Sequence, residues 1–228
     1  RLYRYNGEFS TDKAFKKDND NKEKDKIDAK IKKDREDTLK GDCERAAIAE
    51  LYKYLRPLSH SYILLDIEAG LPQKGKKEKA DFISNTQIDL VFLSKKTKKL
   101  VFVEVKRQKD SRVSQRADGT IEVDAQMKKY KALIEANRDA LREQYKNQIE
   151  FLARITGDDY SGFVLNEVVS APYLLVYGYD ETIETSENKS LQPRKKGMEA
   201  LTQIYGNRLI KVKTLAEFDP GVQILEFQ

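Results

Sequence analysis

The sequence predicts an α/β fold in which helices flank a mixed β-sheet. Two β-rich runs, 87–93 and 100–107, are joined by a short lysine-rich turn and have the signature of a hairpin. Apolar residues then recur at helical spacing over 123–155, and a strongly apolar run, 173–179, follows that helix. Strands and helices that alternate in this way pack as layers around one hydrophobic core.

The first predicted part of the chain, residues 1–40, is a charged segment. Lysine and acidic residues dominate 11–40, and too few sizeable apolar residues occur there to bury much surface. We interpret this segment as an exposed, ion-paired helix or a partly disordered linker. Residues 41–228 are then expected to form the main domain.

The main domain is predicted to begin with a helix and a strand. Residues 43–56 form an amphipathic pattern, and Asp42 is a suitable N-cap for it. The run 61–69 is predicted to be a strand, and the hairpin follows it after a lysine-rich loop. The last predicted helix and strand occupy 193–205 and 209–213.

Composition excludes several kinds of chemistry. The chain has one cysteine and one histidine, which excludes an internal disulfide and a zinc site built from cysteines or several histidines. Any metal is therefore expected to be a hard cation bound by oxygen, namely Mg²⁺, Mn²⁺ or Ca²⁺. The sequence contains no glycine-rich phosphate loop.

Hydropathy and charge favour a cytoplasmic protein with no membrane association. No apolar run approaches the roughly 20 residues that cross a bilayer, and no apolar segment of a signal peptide follows the N-terminus. The net charge of +5 and the pI near 9.0 are only mildly basic. Each lysine-rich cluster is open to interpretation as ordinary solvated surface or as a nucleic-acid contact. The clusters lie at 74–79, 95–99, 106–109, 128–131 and 194–196.

The hairpin predicts that two carboxylates face each other. If its loop is 95–98, Ser94 faces Lys99 and Asp89 then lies directly opposite Glu104. Side chains in such a pair have Cβ atoms roughly 4.5–5.5 Å apart. Two carboxylates at that distance repel each other unless a positive charge lies between them, and a divalent cation meets this need.

The second hairpin strand predicts a buried strand with charges at one end. Its valines at 101, 103 and 105 form one apolar face, and Leu100 and Phe102 begin the other. Glu104 and Lys106 continue that second face. Charges at the rim of a buried face are costly for structure alone. The alternative for Lys106 is an ion pair with Glu104 on an exposed edge.

Glu44 is a third candidate acid. It lies one turn before Ile48 on the apolar stripe of the predicted helix 43–56, so packing of that stripe could bring it to the metal end of the sheet. The alternative is a first-turn acid favoured by the helix dipole. Other acids near the predicted site are Asp66, Glu68 and Asp81.

The elements QID (87–89) and VFVEVK (101–106), which follow the helix that carries Glu44, resemble the PD-(D/E)XK nuclease superfamily. The resemblance covers roughly 41–180 and implies a restriction-endonuclease-like αβββαβ core. It implies that Asp89, Glu104, the Val105 carbonyl and Glu44 bind Mg²⁺ or Mn²⁺, and that Lys106 assists the attacking water. Isoleucine precedes Asp89 where the family motif has proline.

The motif QMKKY on the following helix also matches the Gln-x-x-x-Tyr pattern of the RecB-like exonuclease branch. The resemblance implies that Gln126 and Tyr130 line the site. The two residues are four apart and share a helix face. Tyr130 is equally open to interpretation as a core aromatic.

The expected function is metal-dependent hydrolysis of phosphodiester bonds, with DNA as the first expected substrate. The expected context is defence (including antiviral defence), repair or recombination. An RNA-directed nuclease and an inactive nucleic-acid-binding module are the alternatives. Both endonuclease and exonuclease activity stay open, as do a homodimer and a further N-terminal domain or partner subunit. The expected phosphate contacts are Arg107, Lys128, Lys129 and Lys131.

Overall fold

A computed structural model describes Ile48, Leu51 and Leu55 together with residues 61–71, 86–156 and 164–225. All of these residues belong to a unit that runs from 44 to 228. The predictions for the charged segment 1–40 and for the lysine-rich cluster at 74–79 lie outside the described residues, as do Asp42, Glu44 and Asp81.

The fold is α/β, with a mixed open sheet of six strands in the order β1-β2-β3-β5-β6, and with β4 paired to β3 beside that path. The hairpin is confirmed: β1, β2 and β3 are antiparallel neighbours. β5 lies parallel to β3, and β6 lies parallel to β5. The strands are β1 (Tyr62–Gly70), β2 (Gln87–Ser94), β3 (Lys99–Arg107), β4 (Glu167–Val168), β5 (Tyr173–Tyr177) and β6 (Leu209–Val212).

Two strands differ from the prediction. β4 contains only two residues, too few for an alternating pattern to identify it. β5 ends at Tyr177, two residues earlier than predicted, because the following Gly178 has φ 65° and leaves the extended conformation.

Helices flank the sheet: α1 (Glu122–Ala136), α2 (Arg138–Thr156), α3 (Thr182–Thr185), α4 (Gln192–Tyr205) and α5 (Pro220–Gln223). A 3-10 turn, Ser111–Val113, lies between β3 and α1. The predicted helix at 193–205 is confirmed in α4. Among the described residues, no helix has the length and apolarity that a membrane crossing requires.

The prediction of one continuous helix over 123–155 is wrong, because the chain breaks at Asn137. The backbone of Asn137 is not helical, with φ −119° and ψ 20°. Its side-chain amide donates to the Leu133 carbonyl oxygen at 2.7 Å, and its backbone N–H donates to the same oxygen at 3.1 Å. An asparagine side chain that bonds to the backbone in this way competes with helix continuation.

The sheet has an apolar core on each face. Leu100 and Phe102 of β3 pack with apolar residues of α1, α2 and α4 on one face. The valines of β3 at 101, 103 and 105 pack on the other face with three helical residues, Ile48, Leu51 and Leu55. β3 is therefore buried on both sides, as its sequence predicts, and every residue from Leu100 to Lys106 is buried.

Candidate active site

The candidate site begins where the ladder between β2 and β3 ends. Paired residues run from Leu93↔Leu100 to Leu90↔Val103, which is the predicted register. Beyond that pair the Val105 N–H donates to Asp89 Oδ2 at 2.7 Å. The predicted pair of Asp89 with Glu104 is not among the ladder pairs, which end one step earlier. The Asp89 carboxylate instead accepts the Val105 N–H in place of a strand carbonyl, and this bond fixes Asp89 at the end of the sheet.

Lys106 lies among the oxygens of this site. Its Nζ is 2.5 Å from Glu104 Oε1, 3.0 Å from the Val105 carbonyl oxygen and 3.9 Å from Asp89 Oδ2. Lys106 and Glu104 each have only 1% of their surface exposed. The structure therefore brings the three predicted residues together, in a buried position where removal of water strengthens the attraction between their charges. The ion pair between Lys106 and Glu104 that the alternative predicted is present, but its predicted place on an exposed edge is wrong, because both residues are buried.

Gln126 and Tyr130 of α1 extend the site by a hydrogen-bonded chain. The Gln126 amide donates to Glu104 Oε1 at 2.8 Å and to the Tyr130 hydroxyl at 2.6 Å. The Tyr130 hydroxyl in turn donates to the Gln87 carbonyl oxygen. Tyr130 has 1% of its surface exposed and packs in the core. It is therefore a core aromatic whose hydroxyl also accepts a hydrogen bond from Gln126, the residue that bonds to Glu104.

The oxygens around Lys106 Nζ match the donors that a hard cation prefers. Two carboxylates and one backbone carbonyl lie within 4 Å of one position, which an ammonium group occupies. Such a set suits Mg²⁺ or Mn²⁺ and does not suit a softer metal. Within the described ranges, no group of three or more His, Cys, Asp or Glu side chains is placed to hold a metal.

The third predicted acid, Glu44, lies outside the described residues. Its stripe partners Ile48, Leu51 and Leu55 pack on the face of the sheet that carries the β3 valines. Glu104 and Lys106 occupy the alternate positions of β3 and point to the other face.

The alternative acids of β1 differ from Asp89 in their surroundings. Asp66 pairs with Val91 and accepts a hydrogen bond of 3.4 Å from the Tyr145 hydroxyl. Burial raises the pKa of the Asp66 carboxyl. Glu68 is exposed and has φ 51°, which is rare for a residue other than glycine.

Gln108 anchors the end of β3. The sequence analysis did not identify this role of Gln108. Its backbone N–H donates to the Tyr177 carbonyl at 2.9 Å. Its fully buried side chain accepts from the Asp180 N–H at 2.8 Å and donates to the Asp180 carbonyl at 3.3 Å. Nothing in the local pattern predicts this clamp, because the partner lies 72 residues away in the sequence.

The turn after Gln108 contains an ion pair that the sequence analysis also missed. Asp110 accepts two hydrogen bonds of 3.0 Å from Arg112 Nε, one of 2.5 Å from Arg112 Nη2 and one of 2.8 Å from the Arg112 backbone N–H. Burial raises the pKa of Asp110, but the hydrogen bonds and charge of Arg112, together with the charge of Lys106, hold it below its usual value. The charge of Lys106, in the candidate site, therefore acts on Asp110 of this turn.

The structure separates the predicted phosphate contacts on α1. Lys129 follows Gln126 by three residues, so both lie on one flank of the helix. Lys128 lies on the opposite flank and donates to Asp124 at 2.7 Å, and Asp124 also accepts from the Tyr205 hydroxyl at 2.8 Å. Lys129 and Lys131 are exposed, and Arg107 is half-buried at the end of β3.

In comparisons with known proteins, no family model, no curated protein and no solved structure matches this chain. The functional interpretation therefore depends on the arrangement of Asp89, Glu104, Lys106 and Gln126. That arrangement offers oxygen ligands for a hard cation and an ammonium group close to them. It can stabilise a negatively charged group or orient a water molecule at the end of the sheet.

Proposed function

We propose that the chain is a Mg²⁺-dependent nuclease that hydrolyses phosphodiester bonds in DNA, on a restriction-endonuclease-like core of the PD-(D/E)XK kind. The observation that carries the proposal is the convergence of Asp89, Glu104 and the Val105 carbonyl on Lys106 Nζ. It occurs at the end of a strand whose preceding residues, Leu100 to Val103, are apolar and buried. Three oxygens and a buried ammonium group at one position are costly for folding alone.

The order of the elements supports the proposed core. Three antiparallel strands, β1 to β3, are followed by α1 and α2, which cross over the sheet. β5 then returns parallel to β3, and Glu104 and Lys106 of β3 pair with Leu174 and Val176 of β5. The αβββαβ core that the sequence resembles places its acidic and basic residues on the corresponding strands.

Asp89, Glu104 and the Val105 carbonyl would hold the metal in this proposal. A bound Mg²⁺ would polarise the scissile phosphate and acidify a water molecule. Lys106 would orient that water and offset the negative charge that develops on the phosphate. Gln126 fixes Glu104 Oε1 by its 2.8 Å hydrogen bond, and the Val105 N–H fixes Asp89. The chain thus holds both carboxylates in place before substrate binds.

The test is cleavage of matched linear and closed-circular DNA in Mg²⁺, Mn²⁺ or EDTA. Lys106→Ala is the inactive variant, and Lys146→Ala is the matched control, because Lys146 is exposed on α2. We expect metal-dependent cleavage that Lys106→Ala abolishes and Lys146→Ala retains. Loss of linear DNA alone would indicate an exonuclease and support the expected role of Gln126 and Tyr130 in the site. Cutting of the circle would indicate an endonuclease.

Two results would overturn the proposal. Full activity of the Lys106→Ala protein would show that Lys106 has no role in the reaction. Binding without cleavage of either DNA, in any of the metals, would favour an RNA-directed nuclease or an inactive binding module. Cleavage of an RNA strand of the same sequence then separates these two alternatives.

A further inference from the structure

A second feature lies beyond the candidate site, where the β3–α1 loop meets the first turns of α4. The Gln115 N–H donates to the Pro193 carbonyl oxygen at 2.8 Å. A Cβ at Gly197 would lie 2.1 Å from the Val113 carbonyl oxygen, so only glycine permits this approach. We call the contact between residues 113–115 and 193–197 the loop–α4 seam.

Arg194 lies in the first turn of α4, directly after Pro193, and is half-buried. It precedes Gly197 by three residues and Met198 by four, and both of these residues are buried on the inward side of α4. Within the part of the chain that the structure describes, Arg194 Nε is buried and has no hydrogen-bond partner. A buried donor without an acceptor is unfavourable, and no acceptor among the described residues compensates for the burial of Nε. The side chain as a whole is only half-buried, so it is accessible to an anionic ligand.

The neighbours of Arg194 add positive charge. Arg194, Lys195 and Lys196 are consecutive, and none of them forms an ion pair within the described ranges. The pKa of the Glu184 carboxyl is lowered by Tyr179 and Lys211, and also by the charge of Lys195. Glu184 is already bound to Lys211 at 3.0 Å. The seam therefore carries a net positive charge that an anion can neutralise.

The seam is also tied to the candidate site. Its loop starts directly after β3, and Gln108 and the Asp110–Arg112 pair hold that start in place. Asp110 lies close enough to Lys106 to be influenced by its charge. The 3-10 turn Ser111–Val113 then leads into the seam, and the Val113 side chain is fully buried.

We propose that Arg194 and Lys195 contact the sugar–phosphate backbone of the DNA strand beside the scissile phosphodiester. This inference rests on the proposed nuclease function, which supplies a polyanionic ligand. Arginine and lysine that lack carboxylate partners are suited to phosphate oxygens, and such contacts position a strand without reading its sequence. The Gly197 contact and the Gln115–Pro193 hydrogen bond hold the first turns of α4 against the loop that follows β3, and this distinguishes these two cations from the others on the surface.

The experiment measures binding of the full chain to a fluorescein-labelled DNA duplex and to its single strand, by anisotropy in EDTA over a series of NaCl concentrations. The test protein carries Arg194→Gln and Lys195→Ala. The matched control carries Arg138→Ala and Lys146→Ala, two exposed cations of α2. Lys195→Ala alone is included, with thermal unfolding of each protein, so that a folding defect in the double variant is recognised.

We expect the seam variant to lose about tenfold or more in affinity, since each contact is a charge-assisted hydrogen bond. Its salt dependence should fall by about 1.4–1.8 in the slope of log K against log [NaCl], the value for two lost phosphate contacts. The α2 control should keep both the affinity and the slope of the wild type.

Equal affinity and slope for the seam and control variants would overturn the inference, whether or not the wild type cleaves the duplex in Mg²⁺. Seam-dependent binding by a wild type that cleaves no DNA would retain the seam as a DNA-binding surface and overturn the proposed nuclease. Stronger binding to an RNA strand of the same sequence would overturn the assignment to DNA.

Discussion

The Asp89 carboxylate accepts a hydrogen bond of 2.7 Å from the Val105 N–H, at the point where the β2–β3 ladder ends. The same carboxylate lies 3.9 Å from Lys106 Nζ. Asp89 therefore has two separable functions: it accepts the Val105 N–H, which needs only an oxygen, and it attracts the Lys106 ammonium group, which needs a negative charge. Variants that remove the charge and variants that remove the acceptor should differ.

Asp89→Asn is expected to retain the fold and lose activity. The amide oxygen can still accept the Val105 N–H, but it is a poorer cation ligand. Cleavage should fall by about 100-fold or more, as when a group that stabilises transition-state charge is removed. Asp89→Ala should also lower the free energy of unfolding by about 1–3 kcal/mol, because the Val105 N–H loses its acceptor. Urea unfolding measures the difference, and equal destabilisation by the two variants would contradict it.

Lys106→Met is expected to destabilise the protein in EDTA by about 3–5 kcal/mol, the cost of removing one partner from a buried ion pair. Glu104 would remain buried without the ammonium group that lies 2.5 Å from it. A divalent cation can replace that charge, so Mg²⁺ should raise the melting temperature of the variant more than that of the wild type.

Lys99→Met is the matched control for this experiment. Lys99 pairs with Glu167 at 2.9 Å, but both side chains are largely exposed. Loss of such a pair should cost about 1 kcal/mol or less, without any dependence on Mg²⁺. An equal response of the two variants to Mg²⁺ would show that the cation does not bind beside Glu104.

The hairpin shows how much of the site is predictable from sequence. A polar turn sets its register, and alternation along β3 sets which side chains share a face. Those two features suffice to place Asp89, Glu104 and Lys106 together. The link from Gln126 to Glu104 adds a helix to the site, and the sequence offered it only through the family resemblance.

The remaining features depend on tertiary contacts that no local pattern encodes. The recurrence of apolar residues does not predict the break at Asn137, because buried apolar residues lie on both sides of it, at Ile134 and Leu141. The Gln108 clamp depends on a partner in a distant loop. The glycine at 197 is conspicuous inside a helix, but the backbone that it contacts, at Val113, is known only from the fold.

Gln126→Ala and Tyr130→Phe are expected to affect different properties. Gln126→Ala removes the amide that holds Glu104 Oε1, so cleavage should fall by about 10- to 100-fold, as for residues that orient a metal ligand. Tyr130→Phe removes the hydroxyl that bonds to the Gln87 carbonyl, so stability should fall by about 1 kcal/mol. Steady-state cleavage and urea unfolding test both, and a larger loss of activity in Tyr130→Phe would reverse the assignment.

Lys129→Ala is expected to weaken DNA binding, and Lys128→Ala to leave it nearly unchanged. Lys129 shares a flank of α1 with Gln126, whereas Lys128 is bound to Asp124 on the other flank. One lost phosphate contact should lower the slope of log K against log [NaCl] by about 0.7–0.9. The two lysines are adjacent and exposed, so each is a control for the other. Equal losses would show that the flank does not decide contact with DNA.

Asp110→Asn is expected to destabilise the protein near neutral pH and to have little effect in acid. The pKa of Asp110 is held below its ordinary value, about 4, chiefly by Arg112 acting against the effect of burial. A carboxyl with a lowered pKa stabilises the fold above its ordinary pKa, and this contribution is lost as the pH falls through the lowered value. The difference in unfolding free energy from wild type should therefore be about 1.5–3 kcal/mol at pH 7, the range for hydrogen bonds to a charged group. It should shrink below about pH 4.

Asp139→Asn is the control for this pH dependence, because the Asp139 side chain is 99% exposed and lies 3.9 Å from Arg142. Its difference from wild type should be about 1 kcal/mol or less, because an exposed ion pair contributes little to stability. Unfolding in urea at several pH values, with wild type and both variants, measures the three curves. A difference for Asp110→Asn that persists unchanged in acid would show that the ionised carboxylate does not hold the turn. The turn would then be held by the buried Val113 and by the Gln108 clamp instead.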